Sequence, residues 1–245
     1  MWITYLKIKE FFLELFFPSF CLGCQKEGTF LCSDCQETLE ISEHQYCLCN
    51  KNPLRIPFEN PDKKCSRCQN KKLSGLYFAL SYKEKALTRK IIHQFKYEPY
   101  LKNLAPHIAQ ILASYFVLTK NNTNVIWDNS VLVPVPSEKS RLKYRGYSQT
   151  EFLANELGQI INVPTVLKNL VKIKKTKPQA GLSAQEREVN LQNAFKVLYP
   201  ELLKNKKVFL VDDVYTTGST MEECAKTLKN SGIKKIFGIS IAREE

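Results

Sequence analysis

Two adjacent carboxylates followed by a run of hydroxyl residues form the part of this sequence with the clearest chemical use. Asp212 and Asp213 come directly after the apolar run Val208–Val211, and the amphipathic stretch Met221–Asn230 follows the hydroxyl residues. Free backbone N–H groups at a helix start bind phosphate, and neighbouring carboxylates can accept hydrogen bonds from a sugar diol. The expected anion-binding residues are Thr216, Thr217, Gly218, Ser219 and Thr220. The order of strand, acidic pair, hydroxyl loop and helix therefore predicts a site for a sugar that carries a terminal phosphate.

Two other interpretations of this segment explain less of it. An acidic pair after a strand is also typical of a Walker-B magnesium site, but the sequence has no GxxxxGK[ST] partner. Hydroxyl residues also cap helices, yet a cap needs only one such residue. The segment Asp212–Thr220, which includes Val214 and Tyr215, resembles the ribose-5-phosphate loop of type I phosphoribosyltransferases.

A second segment could meet the remaining charge of such a ligand. A pyrophosphate group needs backbone N–H groups and cations around it. The apolar run Val131–Val135 leads into a proline-rich turn, and a basic stretch follows it. We predict a pyrophosphate loop formed by Val135, Pro136, Ser137, Lys139, Arg141 and Arg145. A basic turn exposed to solvent remains the alternative, because such turns are common on protein surfaces.

A third segment, Val171–Asn190, is polar and basic and lacks a regular apolar period. It contains Pro178 and Gly181, so no long helix or strand is expected through it. A lid that orders over a substrate and excludes water would have this composition. A flexible loop that binds nucleic acid would have it too. The sequence alone leaves both interpretations open.

Eight of the nine cysteines lie between Cys21 and Cys68. Most are paired with two residues between them, a spacing that lets two thiolates reach one tetrahedral ion. In a secreted protein the same richness would indicate disulfides, but we interpret these pairs as structural zinc ligands in a reducing cytosol. One zinc is assigned to Cys21, Cys24, Cys32 and Cys35, and a second to Cys47, Cys49, Cys65 and Cys68. Interleaved pairing remains an alternative, and the shorter Cys47-x-Cys49 spacing makes the second site the weaker assignment.

The net charge of +12 favours polyanionic partners, namely phosphorylated substrates, nucleic acid or acidic lipid headgroups. The N-terminal residues 1–20 are apolar, but Lys7 and Glu14 interrupt the run that a membrane-spanning helix needs. No small-residue cleavage site of the signal-peptide kind is present. We expect an amphipathic helix that packs on the cysteine-rich segment, with peripheral contact to the inner face of the cytoplasmic membrane as the alternative. The expected location is the cytoplasm.

The rest of the chain alternates strands with helices, which predicts an α/β fold with a mainly parallel sheet covered on both faces. In such sheets ligands bind at the carboxyl ends of the strands, where the acidic pair is expected. We divide the chain into the N-terminal helix (1–20), a cysteine-rich module (21–72) and an α/β domain (73–245). The predicted strands are Leu76–Tyr82, Val131–Val135, Val208–Val211 and Ile233–Ile241, and the predicted helices are Ala86–Phe95, Leu101–Leu118, Thr150–Ile161 and Met221–Asn230.

Nearly the whole chain resembles the ComF family of phosphoribosyltransferase-like proteins linked to bacterial competence. The paired cysteines match its N-terminal CxxC run, and Phe95-Lys96-Tyr97 matches its K-Y element. Its R-G-[FY]-N-Q element corresponds to Arg145–Gln149, with Ser148 where asparagine is usual. Its T-x-x-Q…L…R…N…AF element corresponds to Thr176, Gln179, Leu182, Arg187, Asn190, Ala194 and Phe195.

The resemblance implies a type I phosphoribosyltransferase fold that carries a small zinc-ribbon-like module. It also implies phosphoribosyl pyrophosphate (PRPP) and Mg²⁺ as ligands, with Asp212 and Asp213 on the ribose hydroxyls. Thr176, Gln179 and Arg187 would belong to the flexible loop. The family context further implies handling of single-stranded DNA during transformation, with a helicase partner. An active phosphoribosyltransferase with a nucleobase or amine acceptor is the alternative, although no base-reading segment stands out in the sequence.

Overall fold

The computed structural model describes residues 18–57, 60, 62–82, 86–97, 102–119, 124–177 and 182–244. The predicted N-terminal helix and Gln179 therefore lie outside the described residues. None of the helices within the described ranges is long and apolar enough to cross a bilayer.

The described elements alternate between helices and strands, as an α/β fold requires. The helices are α1 (Ser33–Glu37), α2 (Ala86–Lys96), α3 (Ala105–Leu118), α4 (Asn124–Trp127), α5 (Lys139–Arg145), α6 (Gln149–Ile161), α7 (Ala184–Leu191) and α8 (Ser219–Asn230). The strands are β1 (Gln45–Tyr46), β2 (Arg55–Ile56), β3 (Gly75–Ser81), β4 (Ser130–Pro134), β5 (Leu170–Lys172), β6 (Phe195–Val197), β7 (Lys207–Tyr215) and β8 (Lys235–Arg243). Short 3₁₀ turns are formed by Lys102–Leu104 and Pro200–Leu203.

Four parallel strands in the order β3-β8-β7-β4 form the central sheet. The run Val208–Val211 is completely buried, because Val208 and Leu210 pack on one face of the sheet while Phe209 and Val211 pack on the other. Helices α2, α3 and α6 cover the face of Phe209, and α8 covers the face of Leu210. The predicted α/β fold with a mainly parallel, doubly covered sheet is confirmed.

The central strand β7 is longer than its apolar run predicts. It includes the acidic pair, because the backbone of Asp212 pairs with Ser240 and that of Val214 pairs with Ala242 on the long neighbour β8. Helix α8 begins at Ser219, two residues before the predicted start, because Gly218 turns the chain in the left-handed region at φ 77°. The acidic pair therefore belongs to the strand, and the connecting loop contains only residues 216–218.

The third segment is more regular than predicted. Strand β5 pairs with β6 in an antiparallel ribbon, and α7 begins with a capping box between Ser183 and Glu186. Capping residues and short strands do not produce a long apolar period in the sequence. For this reason neither β5 nor α7 was predicted. This ribbon and helix lie beside the carboxyl end of the sheet.

The cysteine-rich segment covers both faces of the sheet. Leu31 and Leu39, near the first four cysteines, join the core on the side of Phe209. Leu48 and Ile56, near the last four, join the core on the opposite side. Each half of the segment thus packs on the sheet as well as around its own cysteines, while the division at residue 72 stays a prediction.

Candidate functional site

A cavity of about 270 Å³ lies at the carboxyl ends of β4 and β7, where parallel sheets place their ligand sites. Residues from all three segments singled out in the sequence line it. They include Asp212, Asp213, Val214, Thr216 and Thr220 from the acidic segment, Val135, Pro136 and Ser137 from the proline-rich turn, Arg145 from the end of α5, and Thr176 and Arg187 from the third segment. The cavity therefore brings together groups that are far apart in the chain.

The acidic pair is held by backbone groups of its own strand and by one lysine. Asp212 accepts a hydrogen bond from the N–H of Asp213 (2.9 Å), and Asp213 accepts one from the N–H of Val214 (2.6 Å). The ammonium of Lys96, from the end of α2, lies 2.8 Å from Asp213 Oδ1. Burial would lower the pKa of Lys96, but Asp213 and Asp212 outweigh it and raise that pKa. Lys96 therefore stays charged beside the pair.

The environment of Asp212 disfavours its charged form. Burial, reinforced by the neighbouring charge of Asp213, raises its pKa from the ordinary 3.8 to about 7, against the opposing effect of Lys96. A second cation near Asp212 would favour its ionised form. Carboxylate oxygens are ligands that Mg²⁺ prefers, with phosphate oxygens and water completing its shell, so the donor set fits this ion.

The segment predicted to bind phosphate, residues 216–220 (the phosphate loop), comprises the turn 216–218 and the first two residues of α8. The cap residue Gly218 has no side chain, and the first N–H of the helix, that of Ser219, donates to the hydroxyl of Thr217 at 3.4 Å. The hydroxyls of Thr217 and Ser219 hydrogen-bond each other at 2.9 Å. Arg187, from α7, donates to the hydroxyl of Thr216 at 3.3 Å and thereby brings a guanidinium to the loop. An anion at this position would meet backbone dipoles and a positive charge together.

Tyr215 and Gly218 set the shape of this loop. Tyr215 is 2% exposed. A Cβ on Gly218 would lie 2.7 Å from Cε2 of Tyr215 and closer still to its Cζ and hydroxyl. The loop needs glycine both for its backbone angle and for this close approach.

The proline-rich turn is joined to the central strand and to α6. The N–H of Val135 donates to Val211 (2.9 Å), and the hydroxyl of Thr150 donates to the carbonyl of Val135 (2.8 Å). Ser148 is the N-cap of α6 and accepts a hydrogen bond from the N–H of Glu151. Serine and asparagine both cap helices well. Ser148, which replaces the asparagine of the R-G-[FY]-N-Q element, can therefore serve as the N-cap equally well. Lys139 and Arg141 lie on the short helix α5.

Some residues that line the cavity were not among the candidates from the sequence. Lys172 donates to the hydroxyl of Thr176 at 2.6 Å and brings a further cation. Gln149 accepts from Arg145 through Oε1, whereas its buried Nε2 has no hydrogen-bond partner among the described residues. Lys96 belongs to the K-Y element and Gln149 to the R-G-Y-S-Q element. Lys172 lies in the basic segment Val171–Asn190, in which nothing distinguishes it from the neighbouring lysines.

The eight cysteines of the N-terminal region form two compact groups, each with its Sγ atoms within 4.8 Å of one another. The first cysteine cluster is Cys21, Cys24, Cys32 and Cys35, and the second is Cys47, Cys49, Cys65 and Cys68. Two Sγ–Sγ distances are 3.6 Å in the first cluster, and in the second they are 3.3 and 3.5 Å. A tetrahedral zinc with Zn–S bonds of about 2.3 Å needs sulfurs roughly 3.8 Å apart, so both groups fit the ion. The grouping is the predicted one, without interleaving.

We expect the purified protein to contain two zinc ions per chain, one for each cysteine cluster. Four thiolates close the coordination sphere and leave no position for a substrate, so the expected role is structural. Elemental analysis after gel filtration would measure the ratio. A single zinc would contradict the second site, and no zinc together with a low count of free thiols would favour disulfides.

Comparisons with known proteins agree with this architecture. The model of the phosphoribosyl transferase domain family matches residues 104–243. Competence protein F of Haemophilus influenzae is 41% identical over 117 residues, which are 46% of this chain and 49% of that protein. The match thus spans about half the length of that relative.

Two other relatives match over most of their length. DNA utilization protein YhgH of Salmonella typhimurium is 26% identical over 212 residues, which cover 82% of this chain and 92% of the relative. Competence protein ComFC of Streptococcus pneumoniae is 25% identical over 230 residues, which cover 89% and 90% of the two chains. The chain therefore belongs to the phosphoribosyl transferase domain family and, within it, to the competence-associated ComF family.

Proposed function

We propose that this protein binds PRPP together with Mg²⁺ in the cavity at the carboxyl ends of β4 and β7. The observation that carries the proposal is the convergence of the acidic pair, the phosphate loop and the proline-rich turn on one cavity. The 5-phosphate would bind residues 216–220, and the ribose hydroxyls would bind Asp212 and Asp213. The pyrophosphate would lie against Val135–Ser137 and Arg145, and the carboxylates of Asp212 and Asp213 would hold a Mg²⁺ ion that neutralises part of its charge.

The charges around the cavity suit such a ligand. Its lining contains the cations Lys96, Arg145, Lys172, Lys177 and Arg187 beside the acidic pair and Glu138. A polyphosphate needs this surplus of cations, whereas two carboxylates in the same cavity would repel a bare phosphate. A sugar that carries hydroxyls between two phosphorylated ends fits both features.

The relatives' names suggest the process in which this binding is used. Two of them are named competence proteins and a third a DNA utilization protein. We therefore propose that the protein acts in the handling of incoming single-stranded DNA, with a helicase as a partner of the same process. An active phosphoribosyltransferase is the second candidate, favoured by the intact acidic pair, which a protein that only binds DNA would not need.

Calorimetric titration with PRPP, in the presence and absence of Mg²⁺, tests the proposal. We expect binding that depends on Mg²⁺ and competition by pyrophosphate. Binding to a single-stranded oligonucleotide should instead fall steeply with salt, because neutralised backbone phosphates release counterions. Failure of the zinc-loaded protein to bind PRPP would overturn the proposal. Release of pyrophosphate with a set of nucleobases would establish the transferase activity.

The affinity for Mg–PRPP should depend on pH through Asp212. Since its pKa is raised to about 7, the carboxylate that binds ribose or Mg²⁺ is lost as the pH falls through that value. We expect binding to weaken about tenfold between pH 8 and pH 6, as one protonation with this pKa requires. The Asp212→Asn variant, which cannot titrate there, gives the control profile. Equal pH profiles for the two proteins would exclude this role of Asp212.

Gln149 should contribute to the same affinity. Its Nε2 is a buried donor on the cavity wall, and an oxygen of the ligand could accept its hydrogen bond. Gln149→Leu should weaken Mg–PRPP binding about tenfold, partly because the variant also releases Arg145. Gln149→Glu keeps an acceptor for Arg145 but replaces the donor with a negative charge that repels phosphate, so we expect affinity losses of different size in the two variants. Calorimetry on both variants measures them, and unchanged binding in Gln149→Glu would contradict a donor role.

A further inference from the structure

The second cysteine cluster is in direct contact with the phosphate loop through Asn50. This residue follows Cys49 in the chain, and its Nδ2 donates to the carbonyl of Thr217 at 2.8 Å. The carbonyl of Thr217 and the N–H of Gly218 belong to one planar peptide unit, so fixing one fixes the direction of the other. Asn50 thus determines the orientation of a backbone N–H at the start of α8.

A second contact joins the same two regions. The hydroxyl of Tyr215 donates to the carbonyl of Leu48 at 3.4 Å, and Leu48 lies between two cysteines of the cluster. The ring of Tyr215 is packed against Gly218, as its distances to a Cβ at that position show. A shift of the backbone at residues 47–50 would therefore move the phosphate loop through both Asn50 and Tyr215.

The backbone at residues 47–50 is also held from β8. Arg243 is 1% exposed, and its guanidinium donates to the carbonyl of Cys47 (2.9 Å) and to that of Cys49. Its Cζ lies 5.6 Å from the centroid of the Tyr215 ring. The guanidinium brings a positive charge next to residues that would be thiolates around a metal ion. The second cysteine cluster thus packs continuously, through Arg243 and Tyr215, with the phosphate loop.

The first cysteine cluster has a different environment. Its segment packs on the opposite face of the sheet through Leu31 and Leu39, and Thr29 contacts His107 of α3 at 3.4 Å. The two clusters have the same ligands, but only the second lies against the phosphate loop through the contacts described above. The first cysteine cluster can therefore serve as an internal control when the second cluster is mutated.

We infer that Asn50 is a positioning residue of the phosphate loop, and that metal at the second cysteine cluster sets the loop's anion-binding conformation. Metal at the first cluster supports the fold alone. The identity of the ligand, Mg–PRPP, rests on the proposed function. The coupling between the second cysteine cluster and the phosphate loop does not depend on it.

The test compares four proteins: wild type, Asn50→Ala, Cys49→Ser/Cys65→Ser and Cys24→Ser/Cys35→Ser. Zinc analysis establishes that each double variant has lost one ion and that Asn50→Ala has lost none. Amide hydrogen exchange of the peptide spanning residues 214–222 then measures the order of the loop, and calorimetry measures the affinity for Mg–PRPP. Exchange is independent of any ligand, so it reports on the coupling even if PRPP does not bind.

We expect faster exchange of the loop amides in Asn50→Ala and in the second-cluster variant, and wild-type exchange in the first-cluster variant. Mg–PRPP affinity should fall about fivefold to tenfold in Asn50→Ala, as expected for one lost hydrogen bond. It should fall further in the second-cluster variant. Unchanged loop exchange in Asn50→Ala, or equal effects of the two double variants, would overturn the inference. If the second-cluster variant does not fold, Asn50→Ala decides the question, because it leaves all eight cysteines in place.

Discussion

Replacing Asp212 and Asp213 with asparagine is expected to weaken Mg–PRPP binding by more than about 100-fold, because the variant loses both anionic acceptors for the ribose hydroxyls and Mg²⁺. Asparagine keeps the size of each side chain and one oxygen, but Asp213→Asn also removes the ion pair with Lys96. The affinity that remains should no longer depend on Mg²⁺. Calorimetric titration at pH 8, with and without Mg²⁺, measures both effects.

The single variant Asp212→Asn, which keeps the ion pair between Lys96 and Asp213, provides a control through its stability. Because burial raises the pKa of Asp212 from 3.8 to about 7, the folded state binds more protons than the unfolded state between these values. The free energy of unfolding therefore falls as the pH rises through this window, and the ionised Asp212 is a cost above pH 7. Asp212→Asn removes that cost and should unfold a few degrees higher at pH 8. If Asp212→Asn were more stable and still bound Mg–PRPP normally, the role of Asp212 in binding would be contradicted.

The second large effect is expected from Gly218→Ala. Gly218 has φ 77°, and the added methyl group would overlap the ring of the buried Tyr215. The backbone would have to move, and with it the first N–H groups of α8 that are expected to bind the 5-phosphate. We expect Mg–PRPP affinity to fall by about 100-fold or more, comparable to the loss of several charge-assisted hydrogen bonds. Calorimetry measures the affinity, and circular dichroism establishes that the variant is folded.

Gly232→Ala is the matched control for Gly218→Ala. Gly232 has φ 90°, and a Cβ there would meet no atom within 4 Å. This variant should lose about 1 kcal/mol of stability through backbone strain alone, with normal ligand binding. If both variants lost affinity equally, a general loss of stability, and not the phosphate loop, would explain the result.

The segments with a strong local pattern could be predicted from the sequence. The run Val208–Val211 is apolar because both faces of its strand are covered, and this pattern correctly located the central strand. The paired cysteines were grouped correctly because their spacing reflects the geometry of a metal ligand pair. The carboxyl ends of neighbouring parallel strands lie at the same edge of a sheet, which is why the acidic pair and the proline-rich turn could be expected to line one cavity.

Features that depend on contacts between distant segments could not be predicted. Asn50 lies in a turn of ordinary polar composition, and only the fold brings it to Thr217, 167 residues later. Lys172 is one of many lysines in a basic chain, and its place in the cavity follows from the pairing of β5 with β6. The extension of β7 through Asp212 was missed because backbone pairing with β8, and not side-chain polarity, decides it.

The way in which the cysteine-rich segment covers both faces of the sheet limits how the protein can be divided. The match to the phosphoribosyl transferase family begins at residue 104, which excludes β3 although this strand pairs with β8 in the sheet. A fragment cut at that point would expose the apolar surface that Leu31, Leu48 and β3 now cover. It would also remove the carbonyls that Arg243 contacts in the interior. A fragment that starts at residue 104 is therefore expected to be less stable than one that also contains β3 and the cysteine-rich segment.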